Sequence, residues 1–181
     1  MKRCAPIKSR ETINLIKEAY RAKKQEKDLL LFLLSINPGL NIVDLLKLTV
    51  KDVKNKTGLV VHQDGLHNRI IPFDEEVSTL IEYVTKDLKL SSLLFISCRN
   101  MAMDRVTVSD HFKVICNELG LDESISAGSW RKTFGYFHYQ KYQDFAYLNW
   151  LFGHASMLQT VEYIDIDDVN FATQYQEGLG L

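Results

Sequence analysis

Three side chains of this 181-residue sequence could together do chemistry at a phosphodiester: Arg131, His154 and Tyr163. A guanidinium neutralises non-bridging phosphate oxygens, an imidazole donates a hydrogen bond or a proton, and a phenol oxygen attacks phosphorus. Arg131 stands in Trp130-Arg131-Lys132-Thr133-Phe134-Gly135, at the start of an expected helix. There the helix N-terminus adds its own attraction for an anion. His154 follows Gly153 at an expected helix end, and Tyr163 comes nine residues later with Thr160 between them. Arginine, histidine and a terminal tyrosine in that order are what transfer of a DNA strand to a phenol needs. Taken singly, each has an ordinary alternative: a surface arginine, a structural histidine, one packing tyrosine among eight.

The rest of the chain must supply helices and turns that bring these groups together. Ser9 is an expected N-cap for a helix through Ala22, with Ile13, Leu15, Ile16 and Tyr20 as its apolar stripe. Residues 28–35 are apolar all round and read as a central buried helix, broken by Pro38-Gly39. Asn41 can cap a short helix over 42–48, with Asp44 three residues on in a box-like arrangement. The period then changes. Leu59-Val60-Val61 and Ile70-Ile71-Pro72-Phe73 flank Asp64-Gly65, a hairpin signal, and a segment near 50–53 could add a third strand. Helical patterns return over 75–87, from Thr107 or Ser109 to Gly120, and over 129–141, 144–152 and 157–163. Residues 165–181 form an acidic tail. No repeat or linker divides the chain, so the expectation is one domain over 1–181, mainly α with a small antiparallel β-sheet, an α+β fold.

Composition narrows the classes. Hydrophobic residues make up 46% and charged residues 25%, ordinary for a soluble globular protein. No apolar run approaches the roughly 20 residues of a membrane span, and Met1-Lys2-Arg3 opens no signal peptide. A cytoplasmic protein with no membrane partner is expected. Cys4, Cys98 and Cys116 are odd in number and lack metal-ligand spacing, which implies free thiols and no cysteine metal site. The net charge is only −1, yet residues 1–56 carry 13 Lys and Arg against 6 Asp and Glu, and the remainder 9 against 17. That basic third reads either as a DNA-facing stripe, with Lys2, Arg3, Lys8 and Arg10 as an arm, or as a solvated helix face.

The order of these elements resembles the catalytic domain of the tyrosine recombinases, the phage-integrase family, over nearly the whole chain. Pro38-Gly39-Leu40-Asn41-Ile42-Val43-Asp44-Leu45-Leu46-Lys47-Leu48 is similar to the family's T-G-L-R-x-S-E-L-L-x-L box. Asn68-Arg69-Ile70-Ile71-Pro72 is similar to its hairpin end R-x-x-P, and Gly128-Ser129-Trp130-Arg131-Lys132-Thr133-Phe134 to H-x-L-R-H-T-F. Leu151-Phe152-Gly153-His154 with Thr160-Val161-Glu162-Tyr163 is similar to L-G-H-x-x-x-x-x-T-x-x-Y. The resemblance implies Tyr163, Arg131 and His154 as catalytic residues on double-stranded DNA, without metal or nucleotide. Lys132, Arg69, Lys47 and Lys51 would adjoin the site as DNA contacts. The segment after the tyrosine, 169–181, would mediate self-association.

The departures from the family pattern set the functional expectation. Asn41 stands where the family has its first arginine, and Gly128 where it has a histidine. No lysine occurs from Thr57 to Phe73, where the hairpin lysine would fall near Gln63 or Asp64, although His62 or His67 could stand in as proton donor. Each lost charged donor is worth about 10²–10⁵ in rate. The family's N-terminal core-binding domain has no counterpart in the sequence. The expectation is therefore a DNA-binding regulator or recombination accessory of a phage or mobile element, with strand cleavage lost or very weak. One alternative is an active minimal recombinase forming a 3′-phosphotyrosine through Tyr163, with missing groups supplied by a partner recombinase subunit. Another is a protein-interaction module that has left DNA.

Overall fold

The helix with no polar face is the one the fold is built around. In the computed structural model, residues 4–63, 67–97 and 101–166 are described, with 62, 63 and 67 by their backbone alone. α1 (Arg10–Ala22) leads into α2 (Glu26–Ile36), whose residues from Leu29 to Ile36 are all buried. α2 packs against α1, α3 (Ile42–Leu45), α5 (Glu75–Thr85) and α7 (Ser129–Tyr142). Phe32 sits at the centre, 5.4 Å from the Trp130 ring edge-on and about as close to Tyr20 and Phe112. Trp130 places the start of α7 in this core, so the neighbouring Arg131 is anchored by the residue before it. α6 (Arg105–Glu118) contributes Val108, Phe112, Ile115 and Cys116 to the same cluster.

Local chemistry sets the helix boundaries. The Ser9 hydroxyl accepts from Thr12 N at 3.1 Å, Asp74 caps α5 and Asp104 caps α6. Asp144 and Ser156 do the same for α8 (Phe145–Phe152) and α9 (Met157–Ile164). β1 (Gly58–Gln63) and β2 (His67–Pro72) pair antiparallel, with Leu59 opposite Ile71 and Val61 opposite Arg69. The Asp64-Gly65 turn between them lies outside the described residues, as do the side chains of His62 and His67.

Three expectations need correction. The segment 50–53 is not a third strand but a helical turn, α4 (Val50–Val53). Val50 and Val53 are both buried, a spacing that one helical face satisfies and a strand does not. Asp52 Oδ2 accepts from the Thr49 N–H at 2.8 Å and the Thr49 hydroxyl at 2.7 Å, which closes the turn. The sheet is two-stranded, and Thr49 meets Leu93 only in an isolated antiparallel bridge. Asn41 does cap α3, accepting from Val43 N at 3.1 Å, but Asp44 pairs with Lys47 instead of closing a box, and α3 stops at Leu45. Leu15 faces solvent at 48% exposure, leaving Ile16 and Tyr20 to carry the buried face of α1.

A second, smaller apolar cluster holds the C-terminal helices. Tyr139, Phe145, Leu148, Val161 and Ile164 are buried there, with Phe134, Phe152 and Tyr163 packed against them. Gly135 makes this possible. A Cβ at that position would lie 2.5 Å from Ile164 Cγ2 and 2.9 Å from Phe152 Cζ, so α8 and α9 close onto α7 only over a glycine. Gly153, left-handed at φ +70°, ends α8 and turns the chain so that His154 leads back toward α9.

Candidate active site

Arg131 is held from two sides. Its Nε donates to the Gly39 carbonyl at 2.9 Å and Nη2 to the Leu151 carbonyl at 2.8 Å. Its guanidinium also lies 5.0 Å from the centre of the Phe152 ring. One side chain thus ties the turn after α2 to the end of α8. Burial, the largest influence, lowers its pKa, while Tyr163 and Asp44 act the other way. The hydrogens on Nη1 and the second on Nη2 remain for an anion.

His154 is oriented by a short chain of hydrogen bonds. Thr160 Oγ1 donates to Asn149 Oδ1 at 2.9 Å, so its oxygen is left to accept from His154 Nδ1, also at 2.9 Å. Asn149 Nδ2 closes the ring by donating to the His154 carbonyl at 3.0 Å. This network assigns the neutral imidazole a proton on Nδ1 and a bare Nε2. Desolvation first, and the Arg131 charge second, lower its pKa below the usual histidine value. Neutral His154 therefore offers Nε2 as an acceptor, and it becomes a donor to phosphate only below that lowered pKa. Folding favours the neutral form, so stability is lost as pH falls from the ordinary histidine value through the depressed one. Nitrogen NMR on the wild-type chain should show the Nδ1–H tautomer, and Thr160→Val should shift the population toward Nε2–H. An Nε2–H tautomer already dominant in wild type would refute the hydrogen-bond assignment.

Tyr163, on the last turn of α9, lies edge-on to His154 with ring centres 5.0 Å apart, and 4.9 Å from Phe152. Lys132 Nζ stands 4.9 Å over its ring while donating to the Cys4 carbonyl at 2.7 Å. Burial raises the phenol pKa; Arg131 and Arg105 oppose that and Cys4 adds to it. At neutral pH the phenol is therefore protonated, and a nucleophilic role would need a proton acceptor. Tyr163, Arg131, Lys132, Asn41 and Gly128 line one cavity of about 280 Å³. The Phe152 ring lies beside all three residues expected to do chemistry, and His154 is not among those that line the cavity.

The expected DNA contacts fare differently. Lys132 lines the cavity. Arg69 is turned inward: Nη1 donates to Tyr147 Oη at 3.1 Å and Nη2 to the Pro38 carbonyl, tying the hairpin to the turn that holds Arg131. Lys47 is exposed and paired with Asp44 at 2.9 Å, and Lys51 is exposed on α4. In the basic arm, Lys8 binds the carbonyl and carboxylate of Asp165 at 2.8 Å, and Arg10 lies 5.1 Å from the Phe137 ring. Lys2, Arg3 and the tail from 167 onward lie outside the described residues.

Two features of the site escaped the sequence reading. The space beside Gly128 is filled by Cys4, whose Sγ lies 3.2 Å from both Ser126 Oγ and Ser129 Oγ and 3.3 Å from where a Gly128 Cβ would be. A side chain at 128 would press its Cβ against the Cys4 sulfur, which would have to give way slightly. Arg105, the first residue of α6, lines the same cavity as Tyr163. Nothing in its local sequence marks it, because the helix pattern from 104 to 120 is ordinary and the approach to α9 is tertiary.

Comparisons with known proteins bear on the family and the fold. The family model described as "Phage integrase family" matches residues 7–169. The Bacillus subtilis (strain 168) protein named "Probable integrase/recombinase YoeC" is 35% identical over 179 residues, covering 97% of both chains. Among solved structures, the XerA recombinase superposes with a TM-score of 0.73 at 18% identity, over 98% of this chain and 67% of that one. The XerH site-specific recombinase bound to its difH substrate gives 0.71 at 21% identity, over 97% of this chain and 56% of that one. A lambda integrase dimer bound to a core site gives 0.65 at 17% identity, and the chain spans about half of it, 52%. These likenesses below 25% identity speak to the fold. The matched family model and the Bacillus relative speak to descent: the chain belongs to the phage integrase family.

Proposed function

We propose that the protein binds double-stranded DNA as a regulator or recombination accessory of a mobile element, with strand cleavage absent or very weak. The observation that carries this reading is the single cavity lined by Arg131, Lys132 and Tyr163, flanked by Asn41 and Gly128 where the family carries a charge and a histidine. Arg131 and Lys132 supply phosphate attraction, and the phenol remains protonated above neutral pH. The solved relatives bound to difH, to a core site and to circular intermediate DNA of a transposon support duplex DNA as the partner class. The chain acts as one integrase-like domain in the cytoplasm, where its DNA is, and its tail joins copies or a partner recombinase.

A second reading is favoured by the placement of Tyr163 beside His154 and on the same cavity as Arg131. In it the protein still forms a 3′-phosphotyrosine. One experiment separates the two. The protein is incubated with supercoiled DNA of its source element, quenched with denaturant and examined for protein-linked nicked DNA beside Tyr163→Phe. The expected result is no adduct, with a mobility shift whose affinity falls as salt rises, at a log–log slope of about −3 to −5, near 0.9 per phosphate. An adduct that vanishes in Tyr163→Phe would replace the first reading by the second. No salt-dependent shift at all would sink both and leave the protein-interaction role.

A further inference from the structure

Among the described residues, three cations line the cavity that Tyr163 faces, and two of them make internal contacts. Arg131 gives Nε and Nη2 to Gly39 and Leu151, and Lys132 gives a hydrogen to the Cys4 carbonyl. Arg105 is exposed and, among the described residues, has no hydrogen bond or ion pair. Among the described residues, no carboxylate lines the cavity. Arg105 also sits in the first turn of α6, a turn without an acidic residue, where the positive end of the helix dipole disfavours a cation. The adjacent Asp104 is engaged through Oδ1 with Thr107 N at 2.7 Å. A residue placed against its local electrostatics, with all its donors unused and facing a nucleophile-bearing cavity, has the character of a ligand-binding group.

We propose that Arg105 is the second guanidinium of the phosphate site, supplying in this chain the charge that position 41 lacks. The inference rests on the reading that the cavity receives a phosphodiester of DNA. A phosphodiester exposes two non-bridging oxygens. Arg131, constrained by its two carbonyl partners, presents only its outer nitrogens to one of them. Arg105, from the start of α6, lines the same cavity as Asn41 and brings a guanidinium for the other. It also borders a second hollow, which Lys47 and Asp104 line with it. Its charge reaches the phenol, where it acts against the effect of burial.

The test uses inorganic phosphate and a duplex oligonucleotide on the same full-length proteins. Phosphate is titrated against chloride at constant ionic strength, following arginine side-chain NMR signals and melting temperature. Wild type should bind saturably, R105Q should bind phosphate at least tenfold more weakly, and R105K should keep most of the affinity. On duplex DNA, R105Q should lower the salt slope by about one. Combining R105Q with N41R should recover part of the phosphate affinity, because the charge is returned from the neighbouring position. R105Q is exposed and should melt like wild type without phosphate. Unchanged phosphate binding in R105Q, or no saturable phosphate effect in wild type, overturns the assignment. Phosphate binding that depends on Arg105 without any duplex binding would uphold the anion site and reject DNA as its partner.

Discussion

Arg131→Ala is expected to unfold the protein roughly 6–12 °C below wild type, on the scale of 2–4 °C per kcal/mol for a chain of this size. The reason is structural before it is functional. The guanidinium donates to the Gly39 and Leu151 carbonyls and stacks on Phe152, so truncation leaves two half-buried acceptors unpaired at the junction of α2, α7 and α8. Hydrogen bonds from a charged donor contribute about 1.5–3 kcal/mol each, and some water will reach the vacated site, so about 3 kcal/mol is a fair expectation. Phosphate and duplex affinity should fall as well. A loss of affinity in Arg131→Ala alone therefore says little about phosphate contact. Arg131→Lys separates the two effects, since it keeps a charge but cannot bridge both carbonyls. If Arg131→Ala melts within a degree of wild type, the carbonyl clamp does not contribute as described.

Gly39→Ala attacks the same clamp from the acceptor side and should cost about 3 kcal/mol. Gly39 is left-handed at φ +70°, which an alanine adopts at a penalty of roughly 1–2 kcal/mol. Its new Cβ would also stand 2.4 Å from Phe134 Cδ1, inside any real carbon contact, and the ring is held by the cluster of the C-terminal helices. Overpacking of that kind costs about 1–3 kcal/mol. The two contributions can be told apart by denaturant unfolding of Gly39→Ala with and without Phe134→Leu. In the Phe134→Leu background, the penalty of Gly39→Ala should shrink to the backbone part alone. If that penalty is the same in both backgrounds, the steric account is wrong and the loss lies in the carbonyl aimed at Arg131.

Much of the scaffold was legible before any coordinates. Ser9, Asn41, Pro38-Gly39 and Gly153 each act through local backbone chemistry, and residues 28–35 declare a buried helix because every face is apolar. The segment 50–53 is too short for its apolar pattern to set a strand apart from a helical turn. What decided it was the Asp52 carboxylate closing on Thr49, together with the burial of both valines on one side. For Arg69 the family resemblance implies a DNA contact, whereas its guanidinium is engaged within the fold. Its partners, Tyr147 and the Pro38 carbonyl, are 78 and 31 residues away in sequence, and no local pattern reports such a distance.

The sequence by itself determined most of the element order, the family and the short list of Arg131, His154 and Tyr163, because their types and spacing are covalent facts of the chain. Which groups actually share a cavity was decided only in three dimensions. Closure of α8 and α9 over Gly135 brings Tyr163 beside His154, and Cys4 fills the space beside Gly128. Packing of α6 on the core carries Arg105 to the cavity rim. Side-chain donors from opposite ends of a chain act on one anion only when packing holds them within a few ångströms, and that placement is a property of the whole fold.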